Sequence, residues 1–443
     1  MTRMTSQPNL PPGPKWPALA QAFLWSTRPM WLADRCGRRF GETYTLRSPA
    51  GQRVVHFSEP SAVRQVLALP ADYFSTSDPA ERTAAELAQG PYVAAVSILL
   101  GGTGSHKAER RQLAAGLQTK AIPTYQRIVD EVTEAAIVSW PNGRSFALYP
   151  QMQRITLNVM LRIIFGVDPN DLDELSTVVG DYLSLAGSAR AVPGRTPPKL
   201  VAQIQDRATV AWTALETHIR RRRRDPNLRA RTDTLSLLLQ RNGKDTGRLS
   251  DSELRALGMH LVLAGHDPPA TALAWTVDLL THHPGAMLRL QHEVDEGRRD
   301  YAAAVVKESL RLRPVIPEVA RTLTAPVTIG DYSLPAGVTL VANTYLLHQR
   351  SDLYPDPKAF RPERFLDGGA PNPQSFGGGS RACLGVALAY LVVEQVLTGV
   401  IGRCSVRAGR RAPDRVARRL ATLTPKHGVR VVVTKRSPAD SAG

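Results

Sequence analysis

Apolar residues recur three and four positions apart along most of this chain, the spacing that lines one face of a helix. The pattern predicts helices over 60–68, 104–118, 123–139, 151–167, 171–186, 199–224, 286–296 and 301–312. A longer helix is expected over 251–283. Ser250 and Glu253 have capping-box spacing at its start, and Pro284-Gly285 follow its last periodic residue. At a rise of 1.5 Å per residue it would be about 50 Å long. Its centre, Met259 to Ala264, is nearly all apolar and is expected to be buried. Another apolar stretch predicts a helix over 384–402.

Strand-like pieces are short and few. Thr43 to Leu46 and Arg53 to Phe57 flank Pro49-Ala50-Gly51 and predict a hairpin. Val327 to Ile329, Val338 to Val341 and parts of 404–434 predict further strands. Residues 187–198, rich in Gly, Ala and Pro, predict a loop with the character of a lid, and 351–375 is proline-rich and irregular. Residues 1–14 form a proline-rich arm and 437–443 a disordered tail. The pattern is mainly α with a small β region, an α+β fold.

Length and composition narrow the classes. The 443 residues suggest two or three domains, or one large helical fold around a buried cofactor. Three widely spaced cysteines, Cys36, Cys383 and Cys404, make neither a disulfide framework nor a zinc pattern, which points to a reducing, cytoplasmic setting. No run of about 20 apolar residues suggests a membrane anchor, and no signal-peptide core is apparent at the N-terminus. The net charge of +17 is densest at Arg220 to Arg224. No nucleic-acid-binding signature accompanies that run, and arginines in a last turn complement the helix dipole. The basic surface is better suited to steering an acidic protein partner.

The most informative segment is Phe376-Gly377-Gly378-Gly379-Ser380-Arg381-Ala382-Cys383-Leu384-Gly385. It sets one cysteine at the end of a glycine loop, just before an apolar helix. Free N–H groups and the helix dipole favour a thiolate there, the form that ligates metals. The glycines let backbone approach a flat ligand. Elsewhere, Glu308 and Arg311 stand three apart on a predicted helix face, and His106 and Arg110 stand four apart on another.

The pattern Phe-x-x-Gly-x-Arg-x-Cys-x-Gly resembles the haem-binding loop of the cytochrome P450 family. The likeness runs from Pro11-Pro12-Gly13-Pro14 to Pro425-Lys426-His427-Gly428 and is strongest to actinobacterial members related to mycobacterial ones. It implies one domain over 1–443 with the family's triangular-prism fold, and a haem b with Cys383 as axial thiolate and metal ligand. Phe376, Gly377, Arg381 and Gly385 match the cofactor-binding loop. His106, Arg110 and Arg321 match further haem contacts. Glu308 and Arg311 match the Glu-x-x-Arg motif, and Arg364 of Pro362-Glu363-Arg364-Phe365 is its third, structural member.

In the long helix, Ala264, Gly265 and Asp267 resemble the family's oxygen-side motif: two small residues that leave room for O2, then the acid of a proton relay. The alcohol that normally follows is absent, because Pro268 and Pro269 stand there. Two prolines remove the N–H groups that would bond the carbonyls of Ala264 and Gly265, so a kink or widening is expected. Thr271 is a full turn from Asp267 and no simple substitute. His266 is expected to pack or meet solvent rather than line a pocket.

The resemblance implies a monooxygenase: two electrons and two protons split O2, one atom leaving in water and one entering a C–H bond. A separate ferredoxin with its reductase would supply the electrons, and a monomer is expected. The pocket would be lined from 78–100, 187–198, the helix centre, 315–319 and 422–424, mostly apolar, which implies an apolar small-molecule substrate. Glu318 is expected to face solvent. Two other readings stay open: a peroxide-driven, coupling or desaturating haem-thiolate enzyme, motivated by Pro268-Pro269, and a non-catalytic haem- or ligand-binding relative.

Overall fold

The computed structural model describes residues 9–75, 122–188, 197–241, 249–366, 368–419 and 421–436. In chain order, the first elements are α1 (Ala18–Thr27), α2 (Pro29–Phe40), β1 (Thr43–Arg47), β2 (Arg53–Phe57), α3 (Pro60–Ala68) and β3 (Phe74–Ser75). Then come α4 (Ile122–Val138), β4 (Ser145–Ala147), α5 (Leu148–Phe165), α6 (Pro169–Ser188), α7 (Pro198–Arg223), α8 (Thr234–Arg241), α9 (Asp251–Thr281), α10 (Pro284–Asp295) and α11 (Asp300–Leu312). Strands β5 (Glu318–Leu323), β6 (Val327–Ile329), β7 (Tyr332–Leu334) and β8 (Thr339–Asn343) lead to α12 (Thr344–His348) and α13 (Val386–Arg403). The chain closes with β9 (Cys404–Ala408), β10 (Val416–Arg419), β11 (Thr422–Pro425) and β12 (Arg430–Lys435). The predicted helix 104–118, the pair His106 and Arg110, most of the loop 187–198, the pocket segment 78–100 and the tail 437–443 lie outside the described residues.

Two compact units emerge from the internal contacts. One comprises Met1–Pro79, Lys307–Cys383 and Val416–Thr424; the other comprises Ala80–Val306, Leu384–Arg415 and Pro425–Gly443.

The first unit is built on a five-stranded sheet of order β1-β2-β8-β5-β3. The hairpin forms as expected, with Thr43 opposite Phe57 and Arg47 opposite Arg53. β8 pairs parallel to β2 and antiparallel to β5. Val55, Phe57, Val63, Val66, Phe74, Leu323, Leu340 and Ala342 fill the core against this sheet. Three helices of this unit, α1, α2 and α12, are not among those the apolar pattern predicts, nor is α8 of the other unit. In α1 the buried residue is Gln21, whose amide donates to the carbonyls of Pro14 and Trp16, while Leu19 and Phe23 are exposed. Glu318 does not face solvent. Its carboxylate accepts from Trp25 Nε1 at 2.9 Å and from Arg418 Nη2 at 3.3 Å, and the Arg418 guanidinium lies over the Trp25 ring.

The second unit is mainly helical, with β12 between β4 and β9 in a small antiparallel sheet. Its spine is α9, capped by Ser250 and Glu253 as expected. Pro284 occupies the first turn of α10, where its missing N–H costs nothing. Gly258 and Gly265 admit α5 closely: a Cβ at these positions would sit 2.3 Å from Phe165 and 2.4 Å from Met160. Among the described residues α13 is the one helix long and apolar enough to cross a membrane. Its buried residues, Val392 to Ile401 but for Glu394, make it a core helix.

Four of the five arginines in the run Arg220–Arg224 meet carboxylates. Arg220 meets Glu216 and Asp251, Arg221 meets Asp171, and Arg223 meets Asp251. Arg222 is buried against Asp233 and donates to the Gly166 carbonyl at 2.6 Å.

Candidate functional site: a cysteine loop and a carboxylate on the long helix

The cysteine loop lies in the first unit. Gly377 and Gly379 have φ of +68° and +64°, the left-handed region that favours glycine. A Cβ on Gly379 would stand 2.2 Å from the Leu67 carbonyl oxygen, so only glycine lets the loop seat on α3. The Cys383 amide donates to the Phe376 carbonyl at 2.9 Å and closes the loop. Gly385 is the N-cap of α13. Cys383 is exposed, whereas Cys36 and Cys404 are buried. Burial pushes both of those thiols up to about 11, which keeps them protonated and inert. Only Cys383 has the access that metal ligation requires.

Two of the predicted cations come together beside this loop. The guanidiniums of Arg321 on β5 and Arg381 on the loop lie 4.9 and 5.8 Å from the centre of the Phe74 ring. Phe74 therefore fixes both arginines by cation–π contact. Sequence reasoning missed it, because a lone phenylalanine after a short turn carries no signal of its partners.

The loop rests on a buried ion cluster. Glu308 and Arg311 are both fully buried, and the pair is bidentate: Nε to Oε2 at 2.7 Å and Nη2 to Oε1 at 2.9 Å. Arg364 Nε donates to Glu308 Oε1 at 3.2 Å, and the Arg361 amide reaches the same oxygen at 2.9 Å. Arg311 also donates to the carbonyls of His348, Pro357 and Ala359. The three motif residues thus meet, and their spare donors hold the proline-rich segment. Val315 and Leu423, from two expected pocket segments, are joined by a backbone hydrogen bond of 2.8 Å.

The other group of expected residues lies on α9, in the second unit. Leu263, Ala264, Gly265, Asp267 and Pro268 are half-buried, while 257–262 and 269–280 are buried. Leu263, Ala264, Asp267 and Pro268 share one helix face. The missing side chain of Gly265 makes room for Met160 of α5. The expected kink does not interrupt α9, which stays α-helical through Pro268 and Pro269. Contacts from α5 flank the two prolines. Thr156 Oγ1 donates to the His266 carbonyl at 2.9 Å and lies 3.1 Å from His266 Nδ1, so His266 is packed rather than pocket-lining.

Asp267 is tied to α5 as well. Tyr149 Oη donates to its Oδ1 at 2.6 Å and Gln153 Nε2 to the same oxygen at 2.9 Å. Thr271 Oγ1 donates to Tyr149 Oη at 3.3 Å, joining Thr271 to the carboxylate through the phenol. None of these partners was legible in advance, since 118 residues separate Tyr149 from Asp267.

An accessible thiol, a glycine backbone open to close approach and two fixed guanidiniums form a donor set for a flat, dianionic, metal-bearing cofactor. Haem, with its iron and two propionates, fits that set. The class defined is a cysteine-ligated haem protein. The cytochrome P450 family model matches residues 11–432, and the chain belongs to that family, whose members are haem-thiolate monooxygenases. The chain is 32% identical to putative cytochrome P450 135B1 of Mycobacterium tuberculosis, over 99% of this chain and 96% of that protein. It is 31% identical to putative cytochrome P450 138 of the same species, over 97% of each. In fold it is similar to a retinoic acid-bound cyanobacterial CYP120A1 structure, with a TM-score of 0.81 at 23% identity over 97% of this chain and 100% of that one. It is equally similar to the CYP102L1 structure, TM-score 0.81 at 21% identity over 98% and 100%.

Proposed function

We propose that this cytochrome P450 inserts one oxygen atom of O2 into an apolar small molecule, as a cytoplasmic monomer drawing electrons from a separate ferredoxin and its reductase. The observation that carries the reading is the exposure of Cys383 on a glycine loop while both other cysteines are buried. Haem, when bound, supplies the reductive activation of O2, which a thiolate ligand favours.

Each residue then has a definite task. Cys383 gives the thiolate. Arg321 and Arg381 pair with the propionates, and His106 and Arg110 are assigned to the same duty by their motif. Phe376, Gly377 and Gly385 shape the loop around the thiolate. Glu308, Arg311 and Arg364 brace it. Ala264 keeps the half-buried face of α9 small, and Asp267 stands where the family's motif has the acid of a proton relay. Pro268 and Pro269 leave the carbonyls of Ala264 and Gly265 without their usual helical donors, so these oxygens are available to a water or a substrate hydroxyl. The net charge of +17 suits an acidic electron donor.

A peroxide-driven reaction is the second reading. It is favoured by the proline at 268 and by the hold of Tyr149 and Gln153 on Asp267. Turnover with a ferredoxin system is compared with turnover on hydrogen peroxide alone. Product from the ferredoxin system, with Pro268→Thr raising the yield of product per electron, supports the first reading. Product from peroxide alone overturns it in favour of the second, and no product under either regime points to a ligand-binding relative.

A further inference from the structure

The cysteine loop is joined to the buried ion cluster by two residues outside every motif named so far. His348, at the end of α12, is 0% exposed. Its carbonyl accepts from Arg311 Nη1 at 2.9 Å. Its ring turns the other way, and Nε2 accepts the backbone amide hydrogen of Gln374 at 2.8 Å. An imidazole accepts at one nitrogen only when neutral, so the proton is on Nδ1. Burial, together with the positive charge of Arg311, pushes the ring's pKa down to about 3, so this acceptor persists across the physiological range.

Gln374 carries the connection forward. Its side-chain amide donates to the Gly377 carbonyl at 2.6 Å, at the first glycine with positive φ. The next residue, Ser375, has its hydroxyl 3.5 Å from the Leu310 carbonyl on α11. The Phe376 carbonyl then accepts from the Cys383 amide. The flanking residues Pro371 and Pro373 have no N–H, so the Gln374 amide is a scarce donor in this stretch. Tyr354 secures the start of the segment by donating to the Pro371 carbonyl at 3.1 Å, and its ring packs edge-on against His348.

We propose that His348 and Gln374 are positioning residues that transmit the rigidity of the Glu308–Arg311 pair to the cysteine loop and keep Cys383 seated as the thiolate ligand. The inference rests on the haem-thiolate reading above. Neither residue touches the reacting atoms. Each fixes a backbone group: His348 fixes the Gln374 amide, and Gln374 fixes the Gly377 carbonyl. Removing such outer hydrogen bonds commonly lowers metal-site performance by about 10–100-fold.

The test uses the haem-loaded protein and reads ligation rather than turnover. His348→Leu, His348→Gln and Gln374→Leu are compared with wild type for the thiolate-type Soret band of the reduced, carbon monoxide-bound form and for its rate of decay. His348→Leu and Gln374→Leu are expected to lose the band roughly tenfold faster. His348→Gln, which can offer an acceptor near the same place, is expected to recover most of the wild-type lifetime. Gln374 is half-buried on a loop, so its substitution tests the connection even if His348→Leu fails to fold. Wild-type decay in Gln374→Leu would overturn the inference and leave the haem-thiolate reading standing. Absence of the band from wild type would overturn both.

Discussion

Glu308 and Asp267 are both carboxylates held at two or more points, yet by opposite kinds of partner. Glu308 is fully buried and meets two guanidiniums, one of them bidentate. Asp267 is half-buried and meets a phenol and an amide, both neutral. A buried charge matched by a charge is a structural commitment, because removing either side strands the other in a medium that cannot solvate it. A carboxylate held by neutral donors strands no opposite charge when it changes. The first arrangement suits a brace and the second a group that works during a reaction.

Breaking the brace gives the largest expected effect. Arg311→Ala leaves the buried Glu308 with Arg364 as its one cationic partner and releases three carbonyls, with an expected cost of about 3–5 kcal/mol. Urea unfolding of the holoprotein measures this, and a loss under 1 kcal/mol would contradict the role of the pair as a brace. On α9, Tyr149→Phe removes one hydrogen bond to a carboxylate, with an expected cost of about 1.5–3 kcal/mol. Pairing it with Asp267→Asn in a double-mutant cycle should return a coupling of that order; additivity would show that the phenol and carboxylate do not interact.

Acid separates the two regions further. An unfolded histidine takes up a proton near pH 6.5, whereas the buried His348 ring does so only near 3. Between those values the unfolded state binds more protons, so stability falls as pH falls. This one ring is expected to lower stability by about 2 kcal/mol at pH 5 relative to pH 8. His348→Gln should remove that part of the pH dependence. The buried rings of His56 and His218, whose pKa values are also lowered by burial, should retain theirs. An unchanged pH profile in His348→Gln would contradict the buried neutral ring. Thr271→Val is expected to have the smallest effect, about 0.5–1.5 kcal/mol, because its bond to Tyr149 is long and neutral.

The same contrast explains what was legible in the sequence. The helices around Glu308 and Asp267 announce themselves by period, and α3 and the hairpin fall at the expected residues. The cysteine loop is legible because its chemistry is local: ten consecutive residues carry the turn, the cation and the thiol. Glu308 and Arg311 are one turn apart, so their meeting is also readable. Tyr149 and Gln153 are not readable as partners of Asp267, nor is Phe74 as a partner of Arg321 and Arg381, because only the folded chain brings them together. α1 stays hidden for a different reason, since its buried position is the polar Gln21 and its apolar Leu19 and Phe23 face outward. Gly265 is legible by residue type, but the close approach of Met160 that its missing side chain allows is not.

Everything in this reading depends on Cys383 as the thiolate ligand of a haem. The most direct measurement is the reduced, carbon monoxide-bound absorption spectrum of wild type and Cys383→Ala. Wild type is expected to show a thiolate-type Soret band and the variant none. A wild type without that band, or a Cys383→Ala protein that keeps it, would show that Cys383 is not that ligand.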